Sequence, residues 1–339
     1  MKAKQFITKE QIRQHGNDIF AYSGLIFCIL IFSIFPPIIK DVNILDPSGL
    51  AFKNIIADGV IYSILASGAV FVYSLGAMDI SVGAQMTLYS VLLIQIYNVG
   101  GSSPWMIVAG VLVILVIAMA CGATNSIVAS TLDMKPIITS LILQFFLYGI
   151  AAILMLEWCP SSVAMGFDIG TASKTHFAVF RNPWVQIGVL VIFLLLVGYL
   201  FNYAKLGRYV RAIGANMECA RQAGVNVVRY KLLAYLTFAL AIVVASVLFV
   251  ATKGSTDQTA GKGYEMKIMI SLILGGMPLS GGMKSKISSA VIGGFTYALI
   301  SRSFIYLGVP DKFTTMFVAL IYIVVVLVTC RSKDKVLPR

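Results

Sequence analysis

Apolar residues run along this chain in blocks of about 20, separated by short segments rich in Gly, Pro, Asn and basic side chains. A helix rises 1.5 Å per residue, so a block of that length crosses a hydrocarbon core about 30 Å thick. Ten blocks can be marked, at roughly 19–39, 54–75, 82–99, 105–129, 137–157, 183–203, 231–251, 266–282, 286–306 and 312–330. The period-two alternation of a membrane barrel is absent. The pattern predicts an all-α, polytopic integral membrane protein with about ten transmembrane helices. The third and eighth blocks are short and carry the most small or polar residues. Residues 19–330 form the membrane domain on this reading, with a cytoplasmic segment at 1–18 and a cytoplasmic tail at 331–339. No small-residue cleavage site follows the first block, which therefore reads as an uncleaved span and not as a signal peptide.

Two interruptions of the apolar pattern resemble each other. "LGAMDISVGA" at Leu75–Ala84 and "LGGMPLSGGM" at Leu274–Met283 agree at five of ten positions. Glycine weakens a helix by about 1 kcal/mol relative to alanine. In the first copy Asp79-Ile80-Ser81 offers side-chain oxygens to the exposed amides that open the next helix. In the second, Pro278 suits a first helical turn and ends what precedes it. Both copies predict a helix stop, a tight turn and a new start. Interrupted helices at corresponding places in two halves point to a transport pathway, whereas plain cytoplasmic turns would want the same residues. The copies lie six spans apart, which makes the repeat parallel. An eighth segment that re-enters instead of spanning would make it inverted.

Composition supports the membrane assignment. The 339 residues are 59% hydrophobic and 12% charged, against about 25% charged in soluble domains. Of the 26 Lys and Arg, 17 fall on one set of loops when both termini lie inside, and basic loops stay in the cytoplasm. Trp105, Trp158 and Trp184 fall at the opposite, outer ends of spans, where indole favours the interface. The net charge of +12 is absorbed by this bias and by anionic inner-leaflet lipid, so no nucleic-acid partner is expected. Five scattered cysteines without a CxxC and only two histidines imply no disulfide framework and no metal site.

Catalytic chemistry is hard to place. "GSTDQTAGKG" at 254–263 has six residues between its glycines and lacks the Ser or Thr after Lys that a phosphate loop needs. Only Asp58 and Asp79 read as acids at membrane depth, where a carboxylate costs roughly 2.5–3.5 kcal/mol. An ion-coupled carrier tolerates that cost because the acid binds the ion, so a chain with so few draws its energy elsewhere. An ion-coupled secondary carrier using Asp79 is the alternative, and a membrane enzyme acting on lipid is a third reading without an acid–base cluster to support it. Asp79 serves either as a helix cap and loop organiser or in direct contact with solute.

The richest inner segment, about 204–230, reads "AKLGRYVRAIGANMECARQAGVNVVRY". Asn216 is a candidate N-cap for "MECARQAG", Glu218 stands in the first turn, and Gly224 ends the helix. A basic face against lipid headgroups and a docking helix for a cytoplasmic partner would both look like this.

"LGRYVRAIGANMECARQAGVNVVRYK", "GAMDISVG" and "GYEMKIMISLILGGMPLSGGM" together resemble the permease subunit of bacterial ABC importers of the ribose, galactose and autoinducer-2 type, over roughly residues 50–330. "DMKPIITSL" following Asn125 is similar to a further segment of that family. The resemblance implies a homodimer or heterodimer of permeases in the inner membrane, a pair of cytoplasmic ABC ATPases that hold MgATP, and an extracytoplasmic solute-binding protein. No cofactor is implied on this chain and no catalytic site of its own. Gly207, Arg208, Gly214, Asn216, Glu218, Ala220, Gly224 and Val225 match the family's ATPase-docking loop. Asp79, Ser81 and Gly83 match its first glycine signature, and Asn125 the segment before the Pro-initiated span. Tyr264 and Glu265 match its Gly-Tyr-Glu element, where they form a gate, an edge for the binding protein, or plain interfacial residues. Gly275, Gly276, Ser280, Gly281 and Gly282 match the second glycine motif. Ala77 and "KIMISLI" depart from the pattern. The implied cargo is a small neutral solute, a monosaccharide or related hydroxylated compound.

Overall fold

The computed structural model describes residues 46, 49–132, 134–159, 164–167, 176–277 and 281–310, with 313–314, 316–320 and 323 beyond them. The predicted first span, both terminal segments, Ser280 and most of 312–330 lie outside the described residues.

Ten helices can be followed. They are α1 (Leu50–Ser74), α2 (Val82–Val99), α3 (Pro104–Thr131), α4 (Pro136–Trp158), α5 (Pro183–Asn202), α6 (Lys205–Ala215), α7 (Met217–Gln222), α8 (Val227–Lys253), α9 (Tyr264–Leu274) and α10 (Ile287–Tyr306). Six of them, α1 to α5 and α8, are long and apolar enough to cross a membrane. Proline opens α3, α4 and α5, where its missing N–H is no loss and its fixed φ suits the first turn. Gly254, at φ +71°, closes α8.

The helices sort into two layers. Helices α1, α2 and α8 are largely buried, whereas α3, α4 and α5 show most of their apolar surface to the outside. Leu112, Val116, Phe145, Ile153, Ile192 and Leu195 are all exposed there, as a lipid-facing surface requires. Trp105 at 76% exposure and Trp184 at 73% mark the outer ends of α3 and α5. Helix α1 runs antiparallel to α10: Asp58 pairs with Arg302 near one end, and Ser63 meets the backbone of Val291 further along. Small residues permit this approach, since a Cβ on Gly294 would strike Ser63.

The outer loops carry the one departure from an all-helical chain among the described residues. Strand β1 (Ala164–Gly166) pairs antiparallel with β2 (Ser255–Asp257), with Met165 opposite Thr256. The Asn98 amide donates to the Gly166 carbonyl at 3.0 Å, and Tyr97 shares a 3.0 Å hydrogen bond with His176. Three-residue strands leave no periodicity to read, which is why the pattern did not predict them.

The eighth predicted span is corrected. Helix α9 is 11 residues long and rises about 16 Å, half of what a crossing needs. The apolar run continues to 282, but the helix does not: Gly276 takes φ +82°, and a 3-10 turn at Gly282–Lys284 precedes α10.

Candidate functional site

The inner end of the molecule is organised by α6 and α7. Asn202–Lys231 was expected to hold one short helix and holds two. Helix α7 is bounded as predicted: the Asn216 side chain accepts the Cys219 N–H at 3.0 Å, and Gly224 follows the last turn at φ +79°. Glu218 and Arg221 form a 3.2 Å pair on its exposed face. Only Ala220 is buried on α7, joining Ile213, Val227 and the partly buried Leu75 and Val225 in a small apolar cluster. Arg208 is exposed on α6. Arg211 turns back and donates to the carbonyls of Gly207 at 3.1 Å and Phe201 at 3.2 Å, satisfying the C-terminal end of α5. Gly207 is tight against the Phe201 backbone.

Both glycine interruptions converge on α6. A Cβ on Gly214 would fall on the Ser74 carbonyl, at the end of α1, and within 3.2 Å of the Gly282 N–H. A Cβ on Gly281 would in turn meet the carbonyls of Tyr73 and Ser74. The two breaks therefore lie on the same side of the molecule, in contact with each other and with α6.

Beyond the first turn, Asp79 is 4% exposed and does not cap α2 as an N-cap residue; Ser81 holds that position. Its Oδ1 accepts the Ser81 N–H at 2.8 Å and the Ser81 hydroxyl at 2.6 Å. Gln85 donates to Ser81 Oγ at 2.8 Å, and the Tyr89 hydroxyl donates to Gln85 Oε1 at 2.9 Å. This ladder of buried hydrogen bonds runs up α2 and rigidifies the restart of the helix. Asn125 approaches from α3, its Oδ1 accepting from Thr139 at 2.5 Å, while Ser140 of α4 accepts the Ile80 N–H at 3.1 Å.

Gly83 faces a different element. A Cβ there would meet the Gly261 carbonyl, Glu265 Oε2 at 2.7 Å and the Tyr148 hydroxyl at 3.0 Å. Those last two oxygens are buried without a hydrogen-bond partner among the described residues. Thr87 accepts the Gly261 N–H at 2.9 Å, holding the start of α9 against α2. Tyr264 points the other way, with its ring centroid 5.7 Å from that of Tyr62. Tyr62 stands midway along the 25 residues of α1, about 18 Å from either end, so α9 begins at mid-depth. Gly275 and Gly293 let α9 and α10 pack backbone to backbone, since a Cβ on either would strike the Ser289 or Ser271 carbonyl.

The predicted residues thus separate into an inner group around Gly214 and a mid-depth group where Glu265 meets Gly83. Asp79, Ser81 and Asn125 lie between them in the same buried network. Gly276 shapes the turn after α9, and Ser280 lies outside the described residues. Sequence reasoning passed over Arg302 and Lys267, although both fall inside predicted spans. Arg302 Nε lies 2.6 Å from Asp58 Oδ2, and Asp58 is only 7% exposed. Two opposite charges near the outer ends of antiparallel spans were the available signal. Tyr148 and Thr87 carried none.

The family described as the branched-chain amino acid transport system permease component matches residues 51–329. The chain is 26% identical over 296 residues to the ribose import permease protein RbsC of Escherichia coli K12, covering 86% of this chain and 90% of that protein. It is 27% identical over 298 residues to the galactose/methyl galactoside import permease protein MglC of Salmonella typhimurium, covering 84% and 87%. It is 27% identical over 263 residues to the fructose import permease protein FruG of Bifidobacterium longum, covering 74% of each. No solved structure matches the chain.

Proposed function

This chain belongs to the family of the branched-chain amino acid transport system permease component, and from that membership we propose that it is the membrane subunit of an ATP-driven sugar importer. It is a multi-pass protein of the inner membrane, with six described helices fit to cross it. Its solute is a monosaccharide or a related hydroxylated compound, the class named by its relatives for ribose, galactose and fructose. ATP is hydrolysed on a partner ATPase, and this chain supplies no catalytic site of its own. An extracytoplasmic binding protein delivers the solute, and a second permease copy or paralogue completes the pathway.

The observation that carries this reading is the seat of α6. An exposed, basic pair of helices, the second capped by Asn216, rests through Gly214 on the carbonyl that ends α1 and on the turn that precedes α10. Movement imposed on α6–α7 by a closing ATPase reaches both helix breaks at once, because packed backbone cannot absorb it. The mid-depth contact of Glu265 with Gly83 is then the place where that movement opens or closes the route. Gentle purification of the tagged chain from its own membrane tests this reading. A stoichiometric ABC ATPase and vanadate-sensitive hydrolysis support it; a chain that purifies alone and hydrolyses nothing contradicts it.

A further inference from the structure

The first turn of α9 carries a charge that a wholly neutral solute has no use for. Lys267 Nζ lies 4.4 Å from the centroid of the Tyr264 ring and 5.9 Å from that of Tyr62. Two rings, from α1 and α9, therefore face one ammonium group, and Tyr297 of α10 backs Tyr62 edge-on at 5.2 Å. Two carboxylates act on it electrostatically, Asp58 and Glu265. Asp58 is held by Arg302 at 2.6 Å, and Glu265 directs Oε2 to the Gly83 side of the helix. Arg302 and Lys253 add like charge, and Lys262 also acts on Glu265, so cations outnumber carboxylates here. No carboxylate among the described residues forms an ion pair with Lys267.

Ring faces attract an ammonium group but do not replace the water it has lost. An ionisable residue at membrane depth without a matched partner marks a functional position, and this one stands where a half-helix begins, the usual location of a transporter's solute site. The surroundings define the ligand. Tyr62 and Tyr264 are buried at 4% exposure and hold the ammonium from behind, while the half-buried Lys267 offers a counter-charge to one anionic group.

We propose that Lys267 is an anion-accepting subsite of the translocation route, and that the solute is a sugar acid whose carboxylate meets Lys267. This rests on the sugar-importer reading and names the substrate class within it.

The complete importer, purified with its ATPase and binding protein and sealed into vesicles, allows the test. Uptake of ribonate and gluconate is compared with that of ribose and glucose in wild type, Lys267→Gln and Lys267→Arg. At least one aldonate is expected to enter with ATP, to fall tenfold or more in Lys267→Gln with binding-protein-stimulated hydrolysis retained, and to be largely kept in Lys267→Arg. An importer that moves an aldose and neither aldonate overturns the subsite and leaves the importer reading standing. Unchanged aldonate uptake in Lys267→Gln also overturns it. Loss of subunit assembly in Lys267→Gln would assign the ammonium to a carboxylate on a partner chain and refute the proposal. A preparation without any ATPase would refute the importer reading itself.

Discussion

Replacing Gly214 with alanine sets two effects of opposite sign against each other. Gly214 lies inside α6 near its C-terminal end, where alanine should stabilise the helix by roughly 0.5–1 kcal/mol. The added Cβ would fall on the Ser74 carbonyl and within 3.2 Å of the Gly282 amide, and neither is the end of a flexible side chain. Overpacking of that kind costs about 1–3 kcal/mol. On central values the clash wins, and α6 lifts from its seat by a margin of about 1.3 kcal/mol, which is around a tenfold change in occupancy. The expected result in the reconstituted importer is solute uptake about tenfold lower, with the ATPase still bound and still hydrolysing. Gly149→Ala in α4 is the control: nothing lies within 4 Å of its Cβ position, and uptake should be unchanged. Wild-type uptake together with a raised melting temperature in Gly214→Ala would refute the reasoning, because it would mean that the seat has room.

Arg302→Gln removes the partner of a nearly buried Asp58 and should lower thermal stability in detergent by about 3–5 kcal/mol, with most of the loss recovered by adding Asp58→Asn. Ser81→Ala takes one donor from Asp79 and the acceptor from Gln85; a cost of about 1–3 kcal/mol is expected, read as a fall in melting temperature. Asn216→Ala deletes the cap of α7 and should cost about 0.5–2 kcal/mol, measured as faster amide exchange over residues 217–222. Cys219 is exposed on α7. With Cys28, Cys121, Cys159 and Cys330 replaced, an impermeant maleimide should label it only from the cytoplasmic side, and more slowly when the ATPase is bound.

Much of this architecture is legible in the chain. Helix α2 has the ends that its apolar block predicted, and Asn216 and Gly224 bound α7 because capping chemistry is local. The length of α9 was hidden, since an apolar run reports compatibility with lipid and not the φ of Gly276. The seat of α6 was partly visible: Gly207, Val210, Ile213 and Gly214 share one helical face, but the charges around them drew the reading toward lipid headgroups or a docked partner. The Asp58–Arg302 pair joins residues 244 positions apart, and no periodicity announces such a contact. The Tyr148 and Thr87 hydroxyls became joint neighbours of Gly83 and Gly261 only because the chain between β2 and α9 brings Gly261 against α2. Local chemistry predicted caps and turns; contacts between distant helices needed the fold.

The most direct measurement is solute uptake into vesicles that hold the purified importer, with ATP supplied on the α6–α7 side and no ion gradient. The account predicts uptake that requires ATP and the partner ATPase and is abolished by vanadate. Uptake by this chain alone, driven by an ion gradient and lost in Asp79→Asn, would contradict it.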